Sequence, residues 1–125
     1  MAKSRKKYDE KYRKSNKGKA AKARYYKKYK QNPKHKELNW KAQLKFRYNI
    51  TLEDYDILLK SQNNKCAICE SDSPGAKKNR FSIDHDHESG KIRGLLCDNC
   101  NVGLGRFNDN INNLIKSIEY LKLKR

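Results

Sequence analysis

Cys66-Ala67-Ile68-Cys69, then Phe81-Ser82-Ile83-Asp84-His85-Asp86-His87, then Lys91-Ile92-Arg93-Gly94-Leu95-Leu96-Cys97-Asp98-Asn99-Cys100-Asn101, is the stretch that decides the fold. Each CxxC puts two sulfurs on one tight turn, and two such turns supply the tetrahedral S4 set that Zn2+ prefers. The 27 residues between Cys69 and Cys97 leave room for a whole hairpin. A four-cysteine site is coordinatively closed, so a zinc held by Cys66, Cys69, Cys97 and Cys100 is structural. Disulfides and an iron–sulfur cluster are the alternatives for the same sulfurs.

Working outward, Phe81-Ser82-Ile83 alternates apolar and polar as a half-buried strand does, and Lys91 to Leu96 reads as its partner across a turn at Glu88-Ser89-Gly90. A helix is predicted over 52–62. Thr51 is its N-cap, Asp54 completes a capping-box variant, and Leu52, Tyr55, Leu58 and Leu59 form one stripe. Asn63-Asn64 ends it. A short helix is expected from Asn101 to Phe107, weakened by Gly103 and Gly105. A final helix, capped by Asp109 or Asn110, carries Ile111, Leu114, Ile115, Ile118 and Leu121 on one face, expected to be core packed against the helix at 52–62. The fold class is therefore α+β: a β-hairpin flanked by helices in a small zinc-stabilised domain.

The remainder is a basic arm. The 125 residues carry a net charge of +17, and residues 1–48 hold 19 basic against 3 acidic side chains while residues 49–125 are nearly balanced. Two regions follow: 1–48, a mainly helical arm, and 49–125, the zinc-bound domain. Clustered positive charge is the electrostatic footprint of a polyphosphate ligand. Lys6, Lys7, Arg13, Lys14, Lys22, Arg24, Lys27 and Lys28 in the arm, with Arg93 in the hairpin, are the cations expected to meet a nucleic acid, a solubilising or membrane-surface tail being the alternative for the arm. Tyrosines interleave them, and Pro33 breaks the arm's helix. No run of about 18 apolar residues exists to span a membrane, and no apolar signal segment leads the chain. A cytoplasmic protein with reduced thiols is the simplest expectation.

Two histidines alternating with two aspartates at a strand end are hard to explain structurally, because each carboxylate and imidazole shifts its neighbour's charge state. Carboxylate and amide oxygens suit a hard ion such as Mg2+ or Mn2+. An imidazole titrating near ~6.5 suits proton transfer. A regular strand would point Asp84 and His85 to opposite faces, so one shared site requires an irregular backbone at 84–88.

These residues, in this order, resemble the phage recombination endonuclease VII family of HNH or His-Me finger (ββα-metal) nucleases. The resemblance runs from about Ile50 to Leu121. It implies that Asp84 and Asn101 ligate one divalent ion, that His85 is the general base activating water, and that His87 supports the phosphate or the base. It also implies DNA cleavage leaving a 5′-phosphate, on duplex or branched substrates, and a phage or mobile-element setting in a host cell. Relatives of this kind can form homodimers. Leu104 stands four residues after Cys100, where the founding member carries an active-site glutamate.

Two other readings compete with a metal-dependent DNA endonuclease. A non-catalytic zinc-ribbon DNA-binding protein accounts for the cysteines and the charge, but does not need Asp84, His85 and Asn101 together. An RNA-binding basic protein accounts for residues 1–48 and leaves the Asp-His-Asp-His cluster unexplained.

Overall fold

The structure, a computed structural model, describes residues 9–123. Lys6 and Lys7 of the sequence reading lie outside the described residues. The chain separates into two compact units, Met1–Asn49 and Ile50–Arg125.

In the first unit, helical residues 9–14 lead to a corner at Ser15, which N-caps α1 (Asn16–Gln31). The Ser15 hydroxyl donates to the Tyr12 carbonyl at 2.6 Å and accepts from the Gly18 amide at 3.1 Å. A side chain at residue 18 would collide with the Tyr12 carbonyl, so this corner needs glycine. Asn32 ends α1 in an extended conformation and caps the next helix, its Oδ1 accepting from Lys34 N–H at 3.0 Å. Pro33 then occupies the first turn of α2 (Pro33–Gln43), where its missing N–H and fixed φ suit a helix start. The break expected at Pro33 is therefore present, with a capped helix on each side of it. A π-helical turn, Leu44–Tyr48, closes at Asn49 in the left-handed conformation (φ 54°). Leu44 is fully buried.

The second unit opens as the capping pattern predicts. Thr51 Oγ1 accepts from Asp54 N–H at 3.1 Å, and Asp54 Oδ2 accepts from Thr51 N–H at 2.8 Å, starting α3 (Leu52–Ser61). Asn63 and Asn64, both left-handed, turn the chain out of it. Tyr55 is buried on its inner face and donates its hydroxyl to the Phe81 carbonyl at 3.0 Å, tying α3 to the start of the hairpin.

Strands β1 (Ser82–His85) and β2 (Ile92–Leu96) pair antiparallel. Phe81, Ile83, Leu95, Leu96 and the sulfurs of Cys66 and Cys97 join Tyr55 in the core. Fully burying Leu95 stabilises the unit by about 1.5–3 kcal/mol. The outer edge of β2 is closed by a side chain. Gln62 accepts the Leu95 N–H at 2.8 Å and donates to the Leu95 carbonyl at 2.9 Å, standing in for a third strand. A Cβ on Gly94 would sit 3.2 Å from that Gln62 oxygen, which explains the small residue there.

Helix α4 (Asp98–Arg106) starts at Cys97, earlier than the expected Asn101, and packs against both strands. No side chain caps this start, and the Asp98 N–H donates instead to the Pro74 carbonyl. Helix α5 (Ile111–Lys122) is capped by Asn110, whose Oδ1 accepts from Asn113 N–H at 2.9 Å. The expectation that its apolar stripe is core is wrong. Ile111 is 71% and Leu121 79% exposed, and Ile115 and Ile118 are exposed too. Helical periodicity identifies an apolar face, but only packing decides whether anything covers it.

Candidate active site and cysteine centre

The first cysteine knuckle is built from local backbone bonds. Cys66 N–H donates to the Ser71 carbonyl at 2.9 Å, Glu70 N–H returns to the Cys66 carbonyl at 3.1 Å, and Glu70 takes a left-handed turn (φ 58°). Ala67 N–H donates to the Leu95 carbonyl at 3.1 Å, so this knuckle is bonded directly to β2. The second knuckle lies where β2 becomes α4. Asn101 N–H donates to the Cys97 carbonyl at 3.0 Å, and Asp98 N–H is held by the Pro74 carbonyl at 2.9 Å.

Together they bring the four Sγ atoms within 4.8 Å of one another. The Cys69 and Cys97 sulfurs are 3.7 Å apart. That is no disulfide, and it matches the edge of ~3.8 Å that a tetrahedron of ~2.3 Å zinc–sulfur bonds requires. Cys66 and Cys97 are buried, and Cys69 lies at the surface. Burial raises the Cys66 thiol, but amides of Cys97, Cys69 and Ile68, with the Cys69 thiol, outweigh it and bring it down to about 6. Burial and the neighbouring Cys97, Cys69 and Cys66 push Cys100 well up. Four converging sulfurs are a donor set suited to a soft or borderline divalent cation, and zinc fits it.

At the other end of β1 the ladder breaks. Asp84 pairs with Gly94, but His85 pairs with Ile92, so Arg93 is the extra residue of a bulge in β2. The irregularity thus falls at the expected step, Asp84 to His85, although the inserted residue sits on the opposite strand. A bulge adds local twist and re-aims side chains on the strand that carries it, so here it turns Arg93 of β2 out of the ladder, opposite Asp84 and His85 of β1. The rings of His85 and His87 stand 5.0 Å apart at 56°.

Arg93 donates through Nε to Asp84 Oδ2 at 2.7 Å and through Nη2 to Asp84 Oδ1 at 3.0 Å. The same Nη2 donates to Asp109 Oδ2 at 3.1 Å. His87 Nε2 approaches that Asp109 oxygen at 3.8 Å. The Asp84 hydrogen bonds, then those of Asp109, hold the Arg93 guanidinium even more firmly protonated than usual. The carboxylates thus converge on one guanidinium, with His87 beside the second.

Asp86 has a different task. Its Oδ1 accepts from Glu88 N–H at 3.0 Å and Ser89 N–H at 2.6 Å, and its backbone bonds Lys91 and Gly90. The Ser89 and Glu88 bonds hold its carboxyl below the usual range. It closes the hairpin turn. Asn101 sits on the first turn of α4, half-buried, on the helix that packs against both strands. Arg13, Lys14, Lys22, Arg24, Lys27 and Lys28 are exposed on the arm's helices, Lys14 bonded to Glu10 at 2.8 Å.

Asp109 escaped the sequence reading as a site residue, where it was only a candidate cap. Its signal was faint: an acidic residue in Asn108-Asp109-Asn110, a polar run prone to left-handed turns. Asn108 and Asp109 do take that conformation (φ 51° and 54°), which turns the carboxylate back to the hairpin.

Residues 41–123 match the sequence profile described as recombination endonuclease VII. The chain is 39% identical over 85 residues to "Gene 59 protein" of Mycobacterium phage D29, covering 67% of this chain and 50% of that protein. It is also 39% identical over 84 residues to "Gene 59 protein" of Mycobacterium phage L5, covering 66% and 50%. This chain spans about half the length of these curated relatives. No solved structure gives a significant match. With two thirds of its length matching the profile, including both cysteine pairs and the Asp84–His87 cluster, the chain belongs to the recombination endonuclease VII family.

Proposed function

We propose that this protein is a metal-dependent DNA endonuclease of the HNH type, hydrolysing phosphodiester bonds in duplex or branched DNA. The observation that supports the reading is the cluster at the broken end of the hairpin, where Arg93 bonds Asp84 and Asp109, and His87 lies 3.8 Å from Asp109 and beside the His85 ring. Family membership supports the reaction class.

In this reading His85 takes a proton from water, and the resulting hydroxide attacks the phosphorus in line with the departing 3′ oxygen. The P–O3′ bond breaks with its electron pair on the 3′ oxygen, leaving a 5′-phosphate. His87, beside His85, orients the base or the phosphate, and Asp109 orients His87. Asp84 and Asn101 offer carboxylate and amide oxygens, which fit a hard ion such as Mg2+ or Mn2+. Bound there, such an ion would neutralise charge developing on the phosphoryl and leaving oxygens. Arg93 would add a second positive charge next to the phosphate. Zinc on the four cysteines would serve only to hold Asn101's helix to the hairpin. The arm's cations would supply phosphate contacts that weaken steeply with salt.

The bidentate grip of Arg93 on Asp84 favours one second reading, a zinc-bound DNA-binding protein without catalysis. Supercoiled plasmid and a branched duplex, incubated with Mg2+ or EDTA beside His85→Ala, separate the two. Nicking that needs Mg2+ and disappears in His85→Ala supports the nuclease. Intact substrates with binding retained would leave the second reading standing.

The exposed face of α5 supports a further part of the proposal, that two copies pair through Ile111, Ile115, Ile118 and Leu121. A homodimer would carry two active sites, as paired cuts require.

A further inference from the structure

We infer that the corner between α1 and α2 is a stacking site for an unpaired nucleobase on a single nucleic-acid strand. Tyr25 and Tyr29 are one helical turn apart, with ring centroids at 6.0 Å and planes within 29°. Tyr26 meets Tyr25 edge-on at 5.8 Å and 79°. The Asn32–Pro33 turn brings His35 onto Tyr29, centroids 3.7 Å apart at 31°. Three rings therefore form one stack across the corner, and a cavity of about 280 Å3 opens beside it, lined by Tyr25, Lys28, Tyr29, Asn32 and His35.

Two features separate this stack from ordinary packing. Tyr25 is 64% exposed, so the outer ring is not held as core. Residues 16–36 also contain nine lysines and arginines and no carboxylate. Such a segment repels itself, and an anionic strand relieves that repulsion. Aromatic faces set in a cationic groove are the combination that binds single strands, one stacking the base and the other tracking the backbone. A duplex keeps its bases stacked on one another and offers only phosphates. An acidic peptide would match the charge but does not pair every negative charge with a flat ring, as a nucleic-acid strand does. Lys28, lining the cavity with the rings, is placed for the phosphate next to the stacked base.

The test is fluorescence anisotropy on the full chain without added magnesium, so that no strand is cut. Probes are oligo(dT), the same strand made abasic, a duplex of equal length, and oligo(rU). Tyr25→Ala is expected to weaken oligo(dT) binding roughly tenfold, to leave duplex and abasic binding unchanged, and to keep the salt dependence. Tyr25→Trp, which retains a stacking face, is expected to restore affinity and so exclude a folding defect. Lys28→Ala should instead lower the salt slope by about one phosphate contact on every probe. Binding of oligo(rU) like oligo(dT) would support a site that stacks bases regardless of sugar, and weaker oligo(rU) binding would support one that also reads the sugar. Abasic strand bound as tightly as oligo(dT), unchanged affinity in Tyr25→Ala, or equal displacement by polyglutamate would overturn the inference. None of these outcomes depends on phosphodiester cleavage.

Discussion

Arg93 grips Asp84 with two hydrogen bonds, 2.7 and 3.0 Å, and is itself the extra residue of the bulge at that point in the hairpin. Backbone irregularity and side-chain pairing are thus one feature. The side chain of Asp84 is only 12% exposed and that of Arg93 38%, so this is neither a surface pair nor a buried one.

Removing the guanidinium leaves a mostly covered carboxylate unpaired. Arg93→Ala should lower stability by roughly 1–2 kcal/mol, between the values for exposed and buried pairs. If Asp84 also holds the divalent ion, Mg2+ should raise the Tm of Arg93→Ala more than that of the wild type, because the competing cation is gone. Equal Mg2+ increments in both proteins would argue against Asp84 as a ligand.

Asp109 bonds Arg93 at 3.1 Å and lies 3.8 Å from His87. Asp109→Ala should slow plasmid nicking roughly 10-fold, the scale of a partner one layer behind a ligand, with zinc content unchanged. His85→Ala should slow it by about 10²-fold or more, the scale of a lost general base. Equal losses in the two variants would deny His85 its separate role.

Zinc should copurify stoichiometrically and be lost in Cys66→Ser. Because a small domain depends on its metal for folding, a strong chelator should abolish the cooperative unfolding of the unit Ile50–Arg125. A chain that keeps a sharp thermal transition without zinc would show that the hairpin core suffices.

Tyr55 supplies a pH signature. Burial raises its hydroxyl from 10.0 to about 12, partly offset by Arg80 and the Phe81 hydrogen bond, with Asp56 adding to the rise. The folded state holds this proton more tightly than the unfolded state. The stabilisation is therefore complete below about pH 10 and lost as pH climbs towards about 12. Tyr55→Phe should cost about 1 kcal/mol at neutral pH, and its urea midpoint should fall less than that of the wild type between about pH 10 and 12. Parallel alkaline losses in the two proteins would remove Tyr55 from the account.

Charge on the open face of α5 tests pairing. Sedimentation of the wild type should show a dimer that Ile115→Asp, together with Ile118→Asp, converts to monomer while retaining zinc. A wild type that stays monomeric at high concentration would dismiss that face as a self-association surface.

The sequence by itself determined the elements whose causes are local. Thr51 and Asp54 announce a helix start because their reciprocal bonds span only three residues. The two CxxC pairs announce a four-sulfur cluster able to hold a metal, because each knuckle is a single turn. Phe81 to Leu96 reads as a hairpin from its alternation and its Glu88-Ser89-Gly90 turn, and the expected break at Asp84–His85 follows from strand geometry once the family resemblance assigns both residues to one site. Only the tertiary structure decided the rest. Gln62 reaches 33 residues along the chain to Leu95, and Asp109 reaches 16 back to Arg93. No periodicity encodes such pairs, because they depend on where separate elements come to lie. The same holds for α5, whose stripe proves it amphipathic while its exposure shows the core closing without it. Local bonding is written in neighbouring residues, whereas burial and long-range ion pairs belong to the packed chain.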